Sequence, residues 1–110
     1  MIDEISGRLG HYLDLLSTRQ KLVASNIANV DTPGYQAKDI DFQLEFLSLT
    51  HGSSPHVVET QGLKARSDGN NVDMDREARL LAENAMRFNV ASNLIRARMR
   101  LIKSAISEGK

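Results

Sequence analysis

The sequence predicts a mainly α fold: long N- and C-terminal helices that pair as a coiled coil, with a small irregular, β-containing module between them. Three observations lead there. Apolar residues near the start of the chain recur at heptad spacing, and those near its end do so without a break. Between them, residues 36–73 show no helical period. The chain of 110 residues therefore reads as one structural unit in three parts: an N-terminal helix and turn, 1–35, a central module, 36–73, and a C-terminal helix, 74–110.

In the first part, Ile2, Ile5, Leu9, Tyr12, Leu16, Val23 and Val30 fall three, four or seven apart. This is an a/d pattern in which two d positions, Arg19 and Asn26, are polar. Gly7 and Gly10 weaken the first turns by up to ~1 kcal/mol each relative to alanine. The spacing predicts a helix over about residues 3–29, roughly 40 Å long at 1.5 Å per residue. It ends in a forced turn. Pro33 fixes its own φ and pushes Thr32 out of the α region, and Gly34 permits the positive φ of a type II turn. Ser25, Asn26, Asn29 and Asp31 supply short polar side chains that can bond the last free carbonyls of the helix or the N–H groups of the turn.

In the middle, Ile40, Phe42, Leu44 and Phe46 alternate with polar residues as in a strand, while Phe42, Phe46, Leu47 and Leu49 would line a short helix. Asp39 and Asp41, flanking Ile40, read as the outward face of that strand. Thr50 to Pro55, with Gly52, Ser53 and Ser54, reads as a loop. His56–Thr60 reads as a second short strand and Asp68-Gly69 as a turn.

The last part is the most regular. Met74, Ala78, Leu81, Ala85, Phe88, Ser92, Ile95, Met99, Ile102 and Ile106 are spaced alternately four and three apart, and Leu80, Ala91, Leu94, Leu101 and Ala105 widen the apolar face. Asp73 is a good N-cap, Asp75 and Glu77 put negative charge in the first turn, and Arg96, Arg98, Arg100 and Lys103 lie toward the other end, as the helix dipole favours. With Gly109 as a stop, the helix covers about 74–107. The expected helix–helix interface sets Ile5, Leu9, Tyr12, Leu16 and Val23 against Leu81, Phe88, Ile95, Met99, Ile102 and Ile106. Two helices cannot close a core by themselves, since bundles need three or four. The surplus apolar area of the second helix therefore points to pairing with other chains.

Composition narrows the function further. Fourteen basic and fourteen acidic side chains cancel, which removes a whole-chain argument for nucleic acid. The charge is nonetheless uneven: residues 1–50 carry 4 basic and 7 acidic side chains, a net −3, and residues 51–110 carry 10 and 7, a net +3. The basic cluster around Arg98 has no interleaved aromatic residue to stack a base. With no cysteine there is no thiol nucleophile, disulfide or cysteine-based zinc site. His51 and His56 are five apart in a loop, without the helical spacing of a zinc pair, and the 68–79 stretch fails the calcium-loop pattern because Asp73 stands where glycine is needed. No catalytic residue, metal or cofactor is expected. Neither a cleavable signal nor an apolar run long enough to cross a membrane is visible.

Any helix followed by Asp-Thr-Pro-Gly needs polar residues simply to stop. The whole string from Ala24 to Tyr35 is more specific. Ser-Asn-Ile-Ala-Asn followed by Asp-Thr-Pro-Gly-Tyr resembles the N-terminal signature of bacterial flagellar axial proteins, the rod, hook and hook-associated group. Residues 68–75, Asp-Gly-Asn-Asn-Val-Asp-Met-Asp, followed by Glu83-Asn84 and Phe88, resemble the C-terminal signature of the FlgB family of proximal rod proteins, and residues 35–42 match that family's continuation after the turn. Val30 stands where relatives usually carry alanine, Phe88 where many carry tyrosine, and the chain is short for the family.

The resemblance implies a structural subunit of the flagellar basal-body rod, self-assembling by coiled-coil packing of its terminal helices into the hollow axial structure that transmits torque. It implies export without signal cleavage through the flagellar type III apparatus and a place in the periplasm. Implied partners are copies of itself, other rod proteins, the rod-to-ring adaptor and the membrane ring; neither nucleic acid nor direct membrane insertion is expected. Carried over residue by residue, Ser25, Asn26, Ile27, Ala28, Asn29, Thr32, Pro33, Gly34 and Tyr35 lock the bend and contact adjacent subunits. The rival readings are another axial rod component and a non-flagellar coiled-coil adaptor.

Overall fold

The computed structural model describes residues 2–48 and 54–109. Leu49 of the alternative short helix, and Thr50, His51, Gly52 and Ser53 of the expected loop, lie outside the described residues. Two long helices dominate: α1, Ile2–Ala28, and α3, Met74–Glu108. Between them come β1, Lys38–Ile40, the short helix α2, Phe42–Leu47, and β2, Val57–Glu59. The predicted mainly helical fold with a small β-containing module is therefore the observed one. The molecule is a rod 68 Å long and 25 by 17 Å across.

The stretch with two readings resolves into both. Asp39 begins no outward face: it is 7 % exposed, and the strand ends one residue later at Ile40. Asp41 then caps α2, its carboxylate accepting the Leu44 N–H at 3.1 Å. Helical spacing places Phe42 and Phe46 on one side of α2, where both meet the Tyr12 ring edge-on at 5.5 and 5.6 Å. Aromatic contact with α1 thus overrides the alternation. β1 and β2 form an antiparallel pair with Lys38 opposite Glu59 and Ile40 opposite Val57. On the outer side of this module the His56 N–H and ring nitrogen both reach Glu45, and these bonds hold its carboxyl below the usual value.

α1 and α3 run antiparallel, since Asn26 meets Glu77 while Leu16 and Gln20 meet Asn84. At one residue per residue, this register carries the last turns of α3 past the beginning of α1. The apolar core is narrow: Leu15, Leu16, Val23, Ala37, Ile40, Val72 and Ala91. Nearly as many polar side chains are buried, namely Asn26, Asp39, Asn70, Asn71, Glu77 and Asn84. Among the described residues no helix is long and apolar enough to cross a membrane.

Candidate functional site

The two stretches singled out in the sequence lie against each other. The end of α1 is closed by Asn29, whose backbone N–H and side-chain amide both donate to the Ser25 carbonyl, at 3.1 and 2.8 Å. The Thr32 hydroxyl donates to the Asn29 side chain, and the Tyr35 N–H returns to the Thr32 carbonyl across Pro33-Gly34. Gly34 has φ +76°, as a type II turn requires. The second loop, 66–73, docks on this turn through its own backbone. The Asp68 carbonyl accepts the Gly34 N–H at 2.8 Å, and the Asn71 N–H reaches the Tyr35 carbonyl at 3.2 Å.

Asparagines close the seam. Asn70 donates to the carbonyls of Asn29 and Thr32, at 2.9 and 2.8 Å, and accepts the Val72 N–H. Asn71 accepts the Ala37 N–H at 2.6 Å and donates to Gln36, whose amide in turn donates to the Gly69 carbonyl at 2.7 Å. Arg66 spans both sides, donating to the carbonyls of Val72 and Val30. Gly69 also has positive φ, +84°, and a Cβ there would touch Gly34 Cα at 3.4 Å. At Gly34 the surrounding space is open, so Gly34→Ala isolates the backbone cost alone. It should lower stability by about 1–2 kcal/mol in denaturant unfolding.

Asn26 is the keystone. It is 1 % exposed, and its amide pairs with the backbone of Lys38 as a neighbouring strand would. Nδ2 donates to the Lys38 carbonyl at 2.9 Å, and Oδ1 accepts the Lys38 N–H at 3.0 Å. The same Nδ2 donates to Glu77 Oε1 at 3.0 Å, and Oδ1 also accepts from the Tyr35 hydroxyl at 3.2 Å. One side chain thus ties α1 to β1, to the turn and to α3.

Around it sits a buried charge cluster. Arg19 makes a two-pronged bond to Asp39, at 3.1 and 3.0 Å, and Arg76 bridges Asp39 and Glu77, at 2.8 and 3.0 Å. Arg19 and Asn26, the two polar residues at seam positions, both belong to this node. Glu77 lies in the first turn of α3, as its sequence position implies, but is 0 % exposed, and burial pushes its carboxyl above the ordinary value.

Of the other signature residues, Ile27, Asn29 and Tyr35 are half-buried, while Ser25, Ala28, Thr32, Pro33 and Gly34 are exposed. On α1, Leu16 and Val23 are buried, Leu9 and Tyr12 half-buried, and Ile5 exposed. On α3, Ile95 and Ile102 are half-buried, whereas Leu81, Phe88, Met99 and Ile106 are 38, 42, 66 and 61 % exposed. The buried residues of α3 are instead Glu77, Asn84 and Ala91, seven apart and one position before Ala78, Ala85 and Ser92 of the apolar seam. A single α1 fully covers this polar and small row alone, which Asn84 pins by donating to the Leu16 carbonyl and to Gln20. Among the described residues no group of three potential metal-ligating side chains comes together.

These features define a class: an elongated two-helix subunit with a hydrogen-bonded bend and most of its apolar seam uncovered. A family model described as flagella basal body rod protein matches residues 13–36, the second half of α1 and the turn. Over nearly its whole length the chain is similar to the flagellar basal body rod protein FlgB of Escherichia coli, 31% identical over 99% of each chain. It is 32% identical to that of Salmonella typhimurium over 88% of each, and 33% to that of Borrelia hermsii over 84% of this chain and 89% of the relative. The chain belongs to the FlgB family of flagellar basal body rod proteins. The Escherichia coli alignment runs over 137 positions against the 110 residues here, so that relative carries stretches this chain lacks.

Proposed function

We propose that the chain, a structural subunit of the flagellar basal-body rod, assembles by burying the apolar flanks of α3 against neighbouring subunits. The observation that carries this is the arrangement of those flanks. Leu81, Phe88, Met99 and Ile106 lie on one side of the row that meets α1, and Val90, Leu94 and Leu101 on the other, all at least 38 % exposed. Large apolar side chains left exposed along one helix in this way mark an interaction site. Because the flanks lie on opposite sides of α1, one partner cannot cover both, which suits a subunit packed among several neighbours. Beside Phe88 an open groove of about 480 Å³, lined by Leu16, Ser17, Gln20 and Ala85, gives one flank a seat for an incoming side chain.

The role is mechanical rather than catalytic. The partners are copies of the chain, other rod proteins, the rod-to-ring adaptor and the membrane ring. The subunit reaches the periplasm through the flagellar type III apparatus without a cleaved signal. Mass spectrometry of detergent-purified basal bodies from the source organism tests this reading. Peptides of this chain at a few copies per rod are expected, and their absence from otherwise complete basal bodies overturns it in favour of a coiled-coil adaptor outside the flagellum.

A further inference from the structure

The bond from Asn26 does not by itself require a charge at Glu77, because a neutral oxygen could accept it. Its Oε1 accepts from Asn26 Nδ2 and Arg76 Nη1, both at 3.0 Å, while its Oε2 is buried without a donor among the described residues. The charges facing it come from every element packed there: Arg76 from α3, Asp39 from β1 and, through Asp39, Arg19 from α1. The Lys38 ammonium is turned away over the Tyr35 ring, 5.8 Å from its centre. Two cations thus balance two carboxylates. However, an ionised carboxylate with one oxygen buried and without a donor among the described residues is costly, and the second carboxylate competes with it for Arg76.

We propose that Glu77 is a proton-operated latch on the node that holds Asn26: uptake of a proton at Oε2 tightens the joint between α1, β1 and α3, and its loss loosens it. The proton goes to Oε2 because both donors already occupy Oε1, so Asn26 and Arg76 keep their acceptor in either state. Desolvation works in the same direction, holding the carboxyl above its ordinary value against the opposing pull of Asn26 and Arg76. The folded value is raised over the unfolded one. The gain in stability is therefore fully present below the unfolded value and is lost as pH rises through the folded value. Each unit between the two values changes the folding constant by about tenfold. The latch adds regulation to the assembly reading, since the bend would become firmer as pH falls. Its test reads folding alone, so it can fail while the assembly reading stands.

The full chain and Glu77→Gln are unfolded with denaturant from about pH 8 to about pH 5, the window above the ordinary glutamate value of about 4.3. Wild type should gain severalfold to tenfold or more in folding constant relative to the variant as pH falls. At the alkaline end the variant should be at least as stable as wild type. Equal pH slopes for the two proteins overturn the proposal. If the variant fails to fold, a carbon-13 titration of the Glu77 carboxyl in wild type decides the matter. A midpoint clearly above the ordinary value supports the latch, and one at or below it rejects it.

Discussion

Asn26→Ala should cost the fold about 2–4 kcal/mol, more than any other single change in the bend. The mutation removes no significant apolar contact, so its cost comes from the groups left behind. The Lys38 N–H loses its acceptor, the Lys38 carbonyl and Glu77 Oε1 each lose a donor, and the Tyr35 hydroxyl loses one acceptor. A buried polar group left without its partner costs about 1–3 kcal/mol, more when charged. The sum is tempered because Lys38 and Tyr35 lie near enough to the surface for water to replace part of the loss. A shift of the denaturation midpoint without a change in slope would show the effect on stability. Amide exchange at Lys38 would show its location, rising toward that of a frayed strand. The isosteric Asn26→Asp separates shape from hydrogen bonding. It sets an oxygen where Nδ2 stood, facing both the Lys38 carbonyl and Glu77, and should be at least as damaging. If the aspartate variant is as stable as wild type, the keystone role is wrong.

The bend's partners show what the sequence made legible and what it hid. Pro33 and Gly34 announced a turn because each restricts or frees a backbone angle on its own. Asp73 announced a helix start for the same local reason, and its carboxylate does accept the N–H groups of Asp75 and Arg76. What closes the bend is non-local. Asn70 and Asn71 read as loop residues beside a turn signal, and nothing in their own neighbourhood said that they would bond residues 29–37. Asp39 alternated correctly for an outward strand residue, yet two arginines from separate helices draw it inside. The signal that could have found the node was present in α1. Arg19 and Asn26 occupy seam positions where an apolar residue would stabilise a simple helix pair, and a polar residue there implies a buried polar partner. A helical period likewise identifies which face of α3 is apolar, but not which part of that face its own α1 covers. That depends on Glu77, Asn84 and Ala91, which look unremarkable in the pattern.

This displacement by one position separates stability from assembly. Replacing Phe88, Met99 and Ile106 together by glutamate should leave the isolated subunit folded, because all three are exposed and none belongs to the hydrogen-bonded bend. Exposed substitutions usually change stability by no more than about 0.5 kcal/mol each. Assembly should be lost entirely. Each glutamate would enter an apolar contact as an unpaired charge, at a cost of several kcal/mol apiece, and a rod needs the contact in every subunit. The measurement is a pair of readings on one variant: circular dichroism with denaturant unfolding for the fold, and swimming with basal-body isolation for the rod. Native unfolding with no rods is the expected pair. Normal rods would place the subunit contact on the opposite flank, at Val90, Leu94 and Leu101. A collapsed fold would mean that α1 covers more of α3 than Glu77, Asn84 and Ala91 mark out. The contrast with Asn26 is then the physical point. The buried polar row fixes the register of the two helices within a chain, and the apolar flanks, left open by that register, are free to bind the next one.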